Sequence, residues 1–397
     1  MNDRKGGAAA PRVARRTQRI APFQVMELVK RAARLRADGR PVIQLDIGEP
    51  DFTAPPKVLE ALARIAGDAS VRYTPATGLT ALREAIAADY LRRDGIEVDP
   101  SRIIVTAGAS AALVLACAAL VETGDQVLLT DPSYPCNRHF VSAFDGIPQL
   151  VPVGAQSRFQ MTADLLRQHW GPLTRGVLVA TPSNPTGTSI SADDLSDILA
   201  EVRAKSGYAI VDEIYLGLSF GGRARSALTL GDDLVVVNSF SKYFSMTGWR
   251  LGWLVAPPAL VPVFEKLAQN LFICASTIAQ RAALACFDAE TIALCEARRA
   301  ELQRRRDLIV PLLDQAGLVV PAIPDGAFYV YADCSSTGLS STVFAERLLD
   351  EAHVSLVPGA DFGEHDHERY LRLSFATAAD LLEQAGERIA RFTARLR

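Results

Sequence analysis

A lysine, three serines and an arginine share the stretch 239–253, SFSKYFSMTGWRLGW, directly after the apolar run 234–238. Ser239, Ser241 and Arg250 can hold an anion between two hydroxyls and a guanidinium fork. Lys242, kept partly dry beside positive charge, would lose its proton readily and attack a carbonyl carbon. The same residues also suit an ordinary strand end, where a lysine is most often solvated and an arginine is a surface charge. The other strand ends decide between the two.

Four more apolar runs stop at polar or conformationally special residues. The run 102–108 ends at Gly108, followed by Ala109 and Ser110; 126–135 ends at Tyr134; 176–185 at Asn184; 208–215 at Asp212 and Tyr215. Ligands of open α/β sheets bind outside the carboxyl ends of the strands. Gly108-Ala109-Ser110, between a strand and a helix, suits an anion at a helix N-terminus, and suits an ordinary tight turn equally well. Neither GxGxxG nor GxxxxGK[ST] occurs, so dinucleotide and P-loop sites are not indicated. Asp212 can cap the next segment, or serve as a fixed, poorly solvated counter-ion for a protonated ring nitrogen. Tyr134 offers a flat face to an aromatic ring, while Tyr215 and Asn184 can hydrogen-bond a ring oxygen. Singly, the two tyrosines also read as core or interface aromatics. Together, a phosphate cup, a carbonyl-reactive lysine, an aspartate for a pyridinium and a stacking tyrosine describe a pyridoxal phosphate site.

The elements that must position these residues are legible in outline. The apolar runs alternate with amphipathic segments such as 110–122 and 191–206, the latter with Ser191 as a cap, which predicts an α/β domain with a mostly parallel sheet. The run 250–256 returns too soon after Lys242 for a parallel crossover and should be antiparallel. From about residue 285 the pattern changes to a long amphipathic helix, 293–317, then GAFYVYAD and YLRLSFAT with a helix between them. The division expected is a mobile tail, 1–18; a small discontinuous α+β domain, 19–47 and 286–397; and a large cofactor-binding domain, 48–285. The basic N-terminus lacks an apolar core for export, leaving a transit peptide as the weaker alternative.

Net charge is −3 over 397 residues, 49% of them hydrophobic. That balance suits a soluble globular protein and gives no footprint for nucleic acid or an anionic membrane. Six scattered cysteines without a CxxC pair suit free thiols in a reducing cytoplasm. GEHDHE, 363–368, holds metal-ligating residue types but reads first as a solvated charge run, so no metal is expected. Cys136, close to Tyr134, reads as packing.

From about residue 20 to the C-terminus, these motifs resemble the class I/II aminotransferases of fold type I, especially the bacterial aspartate/aromatic-like subgroup. The resemblance is carried by DIGEPDF (46–52), YTPATGLTALREAIA (73–87), TAGASAAL, DPSYP, PSNPTGT (182–188), VDEIY, SFSKYFSMTGWRLGW and RLSFA (372–376), in that order. It implies a large domain with a mostly parallel seven-stranded sheet flanked by helices, a smaller α+β domain, and pyridoxal 5'-phosphate as cofactor. By resemblance, Lys242 forms an aldimine with the cofactor and shuttles the Cα proton, and Asp212 keeps the ring nitrogen protonated. Tyr215 and Asn184 look like partners of the phenolic oxygen and Tyr134 like the stacking ring. Gly108, Ala109, Ser110, Ser239, Ser241 and Arg250 look like the phosphate cup. Tyr73 matches a tyrosine lent to the neighbouring subunit's phosphate, which implies a homodimer with shared active sites. Arg372 matches the arginine that fixes the substrate α-carboxylate, a task for a planar two-pronged donor, with Gly48 and Asn184 beside it.

The implied reaction moves an amino group from an amino acid to a 2-oxoacid by a ping-pong sequence. Some dicarboxylate-specific relatives carry lysine where this chain has Ser110, so the reading leans to neutral apolar or aromatic donors, with 2-oxoglutarate or pyruvate as acceptor. Two alternatives stand beside it. One is a β-eliminating C–S lyase or aminocyclopropane-carboxylate synthase on the same scaffold, although SMTGWRLG looks more like the transaminases. The other is a non-catalytic sensing module, which in bacterial regulators is joined to a DNA-binding domain larger than the N-terminal tail.

Overall fold

The computed structural model describes residues 12–22, 25–68, 71–222 and 224–396. Most of the expected tail, 1–11, lies outside them. Arg15–Arg19 forms a short 3-10 turn, and its Arg16 donates to the Ala143 carbonyl at 3.1 Å and pairs with Asp145 at 3.2 Å.

The strands are β1 (Ile43–Gln44), β2 (Ile103–Thr106), β3 (Gln126–Asp131), β4 (Ile147–Pro152), β5 (Thr174–Ala180), β6 (Tyr208–Asp212), β7 (Val235–Ser239), β8 (Gly252–Val255), β9 (Tyr329–Asp333), β10 (Val354–Ser355), β11 (Val357–Pro358) and β12 (Tyr370–Ser374). Seven form one sheet in the order β2-β8-β7-β6-β5-β3-β4, parallel except for β8, which runs against both neighbours. The early return after Lys242 is therefore antiparallel, as the short connection requires. The runs at 102–108, 126–135, 176–185 and 208–215 all become strands. β4 has no counterpart among the sequence runs. It is the edge strand beyond β3, half exposed and interrupted by two prolines, so it lacks the apolar signal of its neighbours.

Alternate residues of the strands feed two cores. Val105, Leu128, Val177, Val211 and Val236 face one layer of helices, and Ile104, Leu129, Leu178, Ile210 and Val237 the other. Burial on both faces is why these strands read as continuous β-branched runs. Ser191 caps helix Ala192–Ala204 as its position suggested, accepting from the Asp194 N–H at 3.1 Å.

A third core joins the two ends of the chain. Leu28, from helix Val25–Ala37, packs with Leu302 and Ile309 of helix Ala289–Gln315, with Phe328 and Leu371, and with Phe392 of helix Ala379–Ala394. β1 pairs in parallel with β10, and β11-β12-β9 forms an antiparallel sheet. Among the described residues no helix is long and apolar enough to cross a membrane.

Candidate active site

Parallel strands bring the ends of β3, β5, β6 and β7 to one edge of the large sheet, while Arg372 arrives on β12 from the small one. Lys242 lies three residues beyond β7. Its Nζ donates to the Gly48 carbonyl at 2.5 Å and lies 5.8 Å from the centre of the Tyr215 ring. Burial, reinforced by the Arg372 and Arg250 guanidinia and opposed by Glu49 and Asp212, lowers its pKa from 10.5 to about 8. The amine thus gives up its proton more readily than a solvated lysine does.

Asp212 closes β6 in a buried position and accepts from the Ile214 N–H at 3.1 Å. Burial raises its pKa to about 6, against the pull of that N–H and of Lys242. A carboxylate this dry strongly favours a positively charged partner. The Tyr215 hydroxyl, also buried, bonds to the Tyr329 hydroxyl at 2.9 Å. Asn184, after β5, has its Oδ1 engaged by Arg372 Nη1 at 3.2 Å, so its amide N–H groups are what it can offer a ligand. Tyr134, half-buried, follows β3, and its hydroxyl interacts with the Cys136 thiol.

Backbone and side chains meet at the turn expected to hold an anion. Gly108 has φ +85°, and a Cβ there would come within 2.6 Å of Arg250 Nη2. Ala109 and Ser110 open the helix Ala109–Leu120, whose first N–H groups have no helical acceptor. Gly252 of β8 presses against this turn: its Cβ would meet the Ala109 nitrogen at 2.8 Å. The Ser239 hydroxyl donates to Ser241 Oγ at 2.9 Å and accepts from the Ser241 N–H at 3.0 Å. Arg250, exposed, donates to the Thr247 carbonyl at 3.0 Å.

Arg372 is buried, donates through Nη2 to the Asp46 carbonyl at 2.6 Å, and sits between the Tyr329 and Phe362 rings at 4.6 and 5.0 Å. Among the described residues its Nε has no hydrogen-bond partner, an unsatisfied donor in a dry site. Gly48 lies against the same group, since a Cβ there would be 3.1 Å from the Tyr329 hydroxyl. A cavity of 580 Å³ opens at the next residue, lined by Glu49, Pro50, Phe52, Leu62, Trp249 and Ile278 among others. The donors, the dry carboxylate and the depressed amine fit the chemistry of pyridoxal phosphate: the helix start could take its phosphate, Asp212 its ring nitrogen and Lys242 its aldehyde.

Tyr73 is not brought to this cluster. It is 85% exposed, on a loop tied to helix Thr277–Ala283 by Thr277 Oγ1 donating to the Arg72 carbonyl at 2.7 Å. Sequence reasoning missed Tyr329, which read only as a strand aromatic, and the link from Asp131 to the segment after Phe362, which is visible only in three dimensions. GEHDHE exposes its acidic side chains and His365 to solvent, and its His365 lies 3.7 Å from Asp366.

The model for aminotransferase class I and II matches residues 40–389. A valine–pyruvate aminotransferase of Mycobacterium tuberculosis is 39% identical over 372 residues, 93% of this chain and 96% of the relative. An aspartate aminotransferase of Geobacillus stearothermophilus is 34% identical over 392 residues, 96% of this chain and 98% of the relative. A crystal structure of an aminotransferase from Mycobacterium tuberculosis matches with a TM-score of 0.93 at 38% identity, over 97% of this chain and all of the other. The chain belongs to the class I and II aminotransferases. It is a pyridoxal-phosphate-dependent transaminase of fold type I.

Proposed function

We propose that the enzyme transfers the α-amino group of a neutral apolar or aromatic amino acid to pyruvate or 2-oxoglutarate by a ping-pong sequence, working as a homodimer in the cytoplasm. The observation that carries the reading is one juxtaposition. The Lys242 amine and the Arg372 guanidinium, both in a dry site, donate to carbonyls of the same short segment, Gly48 and Asp46. A substrate α-carboxylate held by Arg372 would leave its Cα close to a base.

Bound pyridoxal phosphate supplies an aldehyde that takes and returns the amino nitrogen, and a ring that spreads the charge left at Cα. In this reading Gly108, Ala109, Ser110, Ser239, Ser241 and Arg250 hold its phosphate, and Tyr73 of the neighbouring subunit adds a hydroxyl. Asp212 holds the proton on the ring nitrogen. Tyr215 and Asn184 hydrogen-bond the ring's oxygen, and Tyr134 covers one face. Arg372 orients the substrate through its carboxylate, and Lys242 Nζ removes the proton at Cα and returns one to the product. Unit 48–285 carries the cofactor, and 19–47 with 286–397 brings the carboxylate clamp.

Charge near Lys242 supports this substrate class. Glu49 stands near enough to Lys242 to act on its pKa, and it lines a cavity shared by Pro50, Phe52, Leu62, Trp249 and Ile278 with the polar Ser245, Thr247 and Ser276. A side-chain carboxylate would meet repulsion there, whereas an apolar side chain would be sheltered. The M. tuberculosis relative is named for valine and pyruvate, in agreement with this direction. The free state of all six cysteines suits a reducing compartment.

Steady-state rates with valine, phenylalanine and aspartate, each against pyruvate and 2-oxoglutarate, test the reading. The expectation is parallel double-reciprocal lines and a kcat/KM for a neutral donor at least about tenfold above that for aspartate, about 1.4 kcal/mol of discrimination. Preference for aspartate would overturn the substrate class. Release of ammonia with no amino product would replace transamination by elimination.

A further inference from the structure

The acidic, histidine-containing segment 363–368 has no part in the site so far, yet its backbone wraps a buried carboxylate at the end of β3. Asp131 lies three residues before Tyr134. The Glu364 N–H donates to its Oδ1 at 3.1 Å and its Oδ2 at 3.0 Å, and the His365 N–H donates to Oδ2 at 3.1 Å. Two more bonds run alongside: Ser133 N–H to the Phe362 carbonyl at 2.9 Å, and Arg138 Nη2 to the Asp361 carbonyl at 3.2 Å. Gly363 completes the fit. Its φ is outside the left-handed region, so conformation does not demand glycine there, but a Cβ would fall on Asp131 Oδ1. Burial pushes the Asp131 carboxyl up, while the Glu364 and His365 N–H groups and Arg138 pull it down.

The segment so held carries Phe362, which is 2% exposed and whose ring lies 5.0 Å from the Arg372 guanidinium. Phe362 packs in a small core that spans both parts of the molecule, Val153 and Phe159 from one and Tyr331, Val357 and Tyr370 from the other. The strand that leads to the cofactor-facing tyrosine is thereby fastened to the segment that walls the carboxylate-binding arginine.

We propose that Asp131 is a positioning residue for substrate-carboxylate binding: by clasping 363–365 it sets Phe362, and through it Arg372, at a fixed offset from the Tyr134 face. The inference rests on the proposed reading of Arg372 as the group that holds the substrate carboxylate. Charge-assisted N–H···O bonds in a buried place give direction as well as strength, and an amide cannot accept on both atoms.

The test compares Asp131→Asn, Asp131→Ala and Gly363→Ala with the wild-type holoenzyme. Four quantities are read: KM and kcat for the amino acid, the Kd of 2-methylalanine (which has no Cα proton to lose) from its spectral change, the pyridoxal phosphate Kd, and Tm. Asp131→Ala should raise KM and the 2-methylalanine Kd about tenfold or more, with kcat changed less than about threefold and cofactor Kd unchanged. Asp131→Asn should fall between wild type and alanine. Gly363→Ala attacks the same contact from the other side and should reproduce the Asp131→Ala pattern, and the double variant should be no worse than the more damaged single one. A lowered Tm with unchanged KM and Kd would make the contact purely structural and overturn the proposal. A changed cofactor Kd with unchanged KM would assign the contact to Tyr134 and overturn it as well. Arg372→Lys serves as the control: if it leaves KM unmoved, the reading of Arg372 itself fails, and this outcome is separable from failure of the clasp.

Discussion

At the scale of single residues, the working groups are side chains that ordinarily seek water and are here denied it. Burial lowers the pKa of Lys242 to about 8 and raises that of Asp212 to about 6. The shifts run in opposite directions for one reason: each removes a charge that the dry site disfavours, and each is moderated by the other's charge. A consequence for Lys242 is measurable in cofactor-free protein. Below pH 8 the neutral amine, the form that attacks an aldehyde, should grow about tenfold per pH unit, and above about pH 8 it should level off. The rate of pyridoxal phosphate capture, followed by absorbance, should trace that curve. A rate still climbing steeply at pH 10 would mean an ordinary solvated lysine. The types and order of these residues were legible in the sequence because each terminates an apolar run. Tyr329 was not, because a tyrosine in a strand looks the same whether it fills a core or, as here, bonds Tyr215 and lies under Arg372.

At the scale of elements, the strand ends do the positioning and the glycines set the clearances. Gly252 belongs to a strand whose neighbours are β2 and β7, and its missing Cβ is the space taken by the turn at Gly108 and Ala109. Gly252→Ala should push that turn outward, weakening pyridoxal phosphate about tenfold and destabilising the fold by about 1–3 kcal/mol, measurable by cofactor titration and urea unfolding. Unchanged cofactor affinity would show that the turn does not shape the cup. β5, β6 and β7 were readable because they are buried on both faces. β4 was not, because an edge strand needs no continuous apolar run. The antiparallel course of β8 followed from loop length alone.

At the scale of the whole molecule, one residue expected at the site lies away from it and points outward. Tyr73 is exposed on a loop that Gln280 holds from within, accepting from the Leu79 N–H at 2.8 Å and donating to Thr74 Oγ1 at 3.1 Å. Exposed Val71, Leu271, Ile273 and Ile278 belong to the segments that this loop and its helix connect. A firmly held loop that presents an aromatic hydroxyl and apolar side chains to solvent fits a surface covered by a second copy. Sedimentation should therefore give a dimer at micromolar concentration, and Tyr73→Phe should loosen pyridoxal phosphate severalfold while leaving the dimer intact. A monomer with full cofactor affinity would remove the shared site. The expectation for Tyr73 came only from the family resemblance, since no composition or periodicity marks a residue proposed to act on another chain.

The central claim is that Lys242 and Arg372 together make a site that takes nitrogen from an amino acid and gives it to an oxoacid. The most direct measurement is the visible spectrum of the pyridoxal phosphate-loaded protein during the two half-reactions, beside Lys242→Ala. The band of the lysine-bound cofactor should be lost on adding valine or phenylalanine and return on adding pyruvate or 2-oxoglutarate, with stoichiometric exchange of amino acid and oxoacid. In Lys242→Ala that band should be absent and turnover should fall by at least about a thousandfold. A wild-type band that no amino acid changes, or a Lys242→Ala protein that still completes both halves at the wild-type rate, would contradict it.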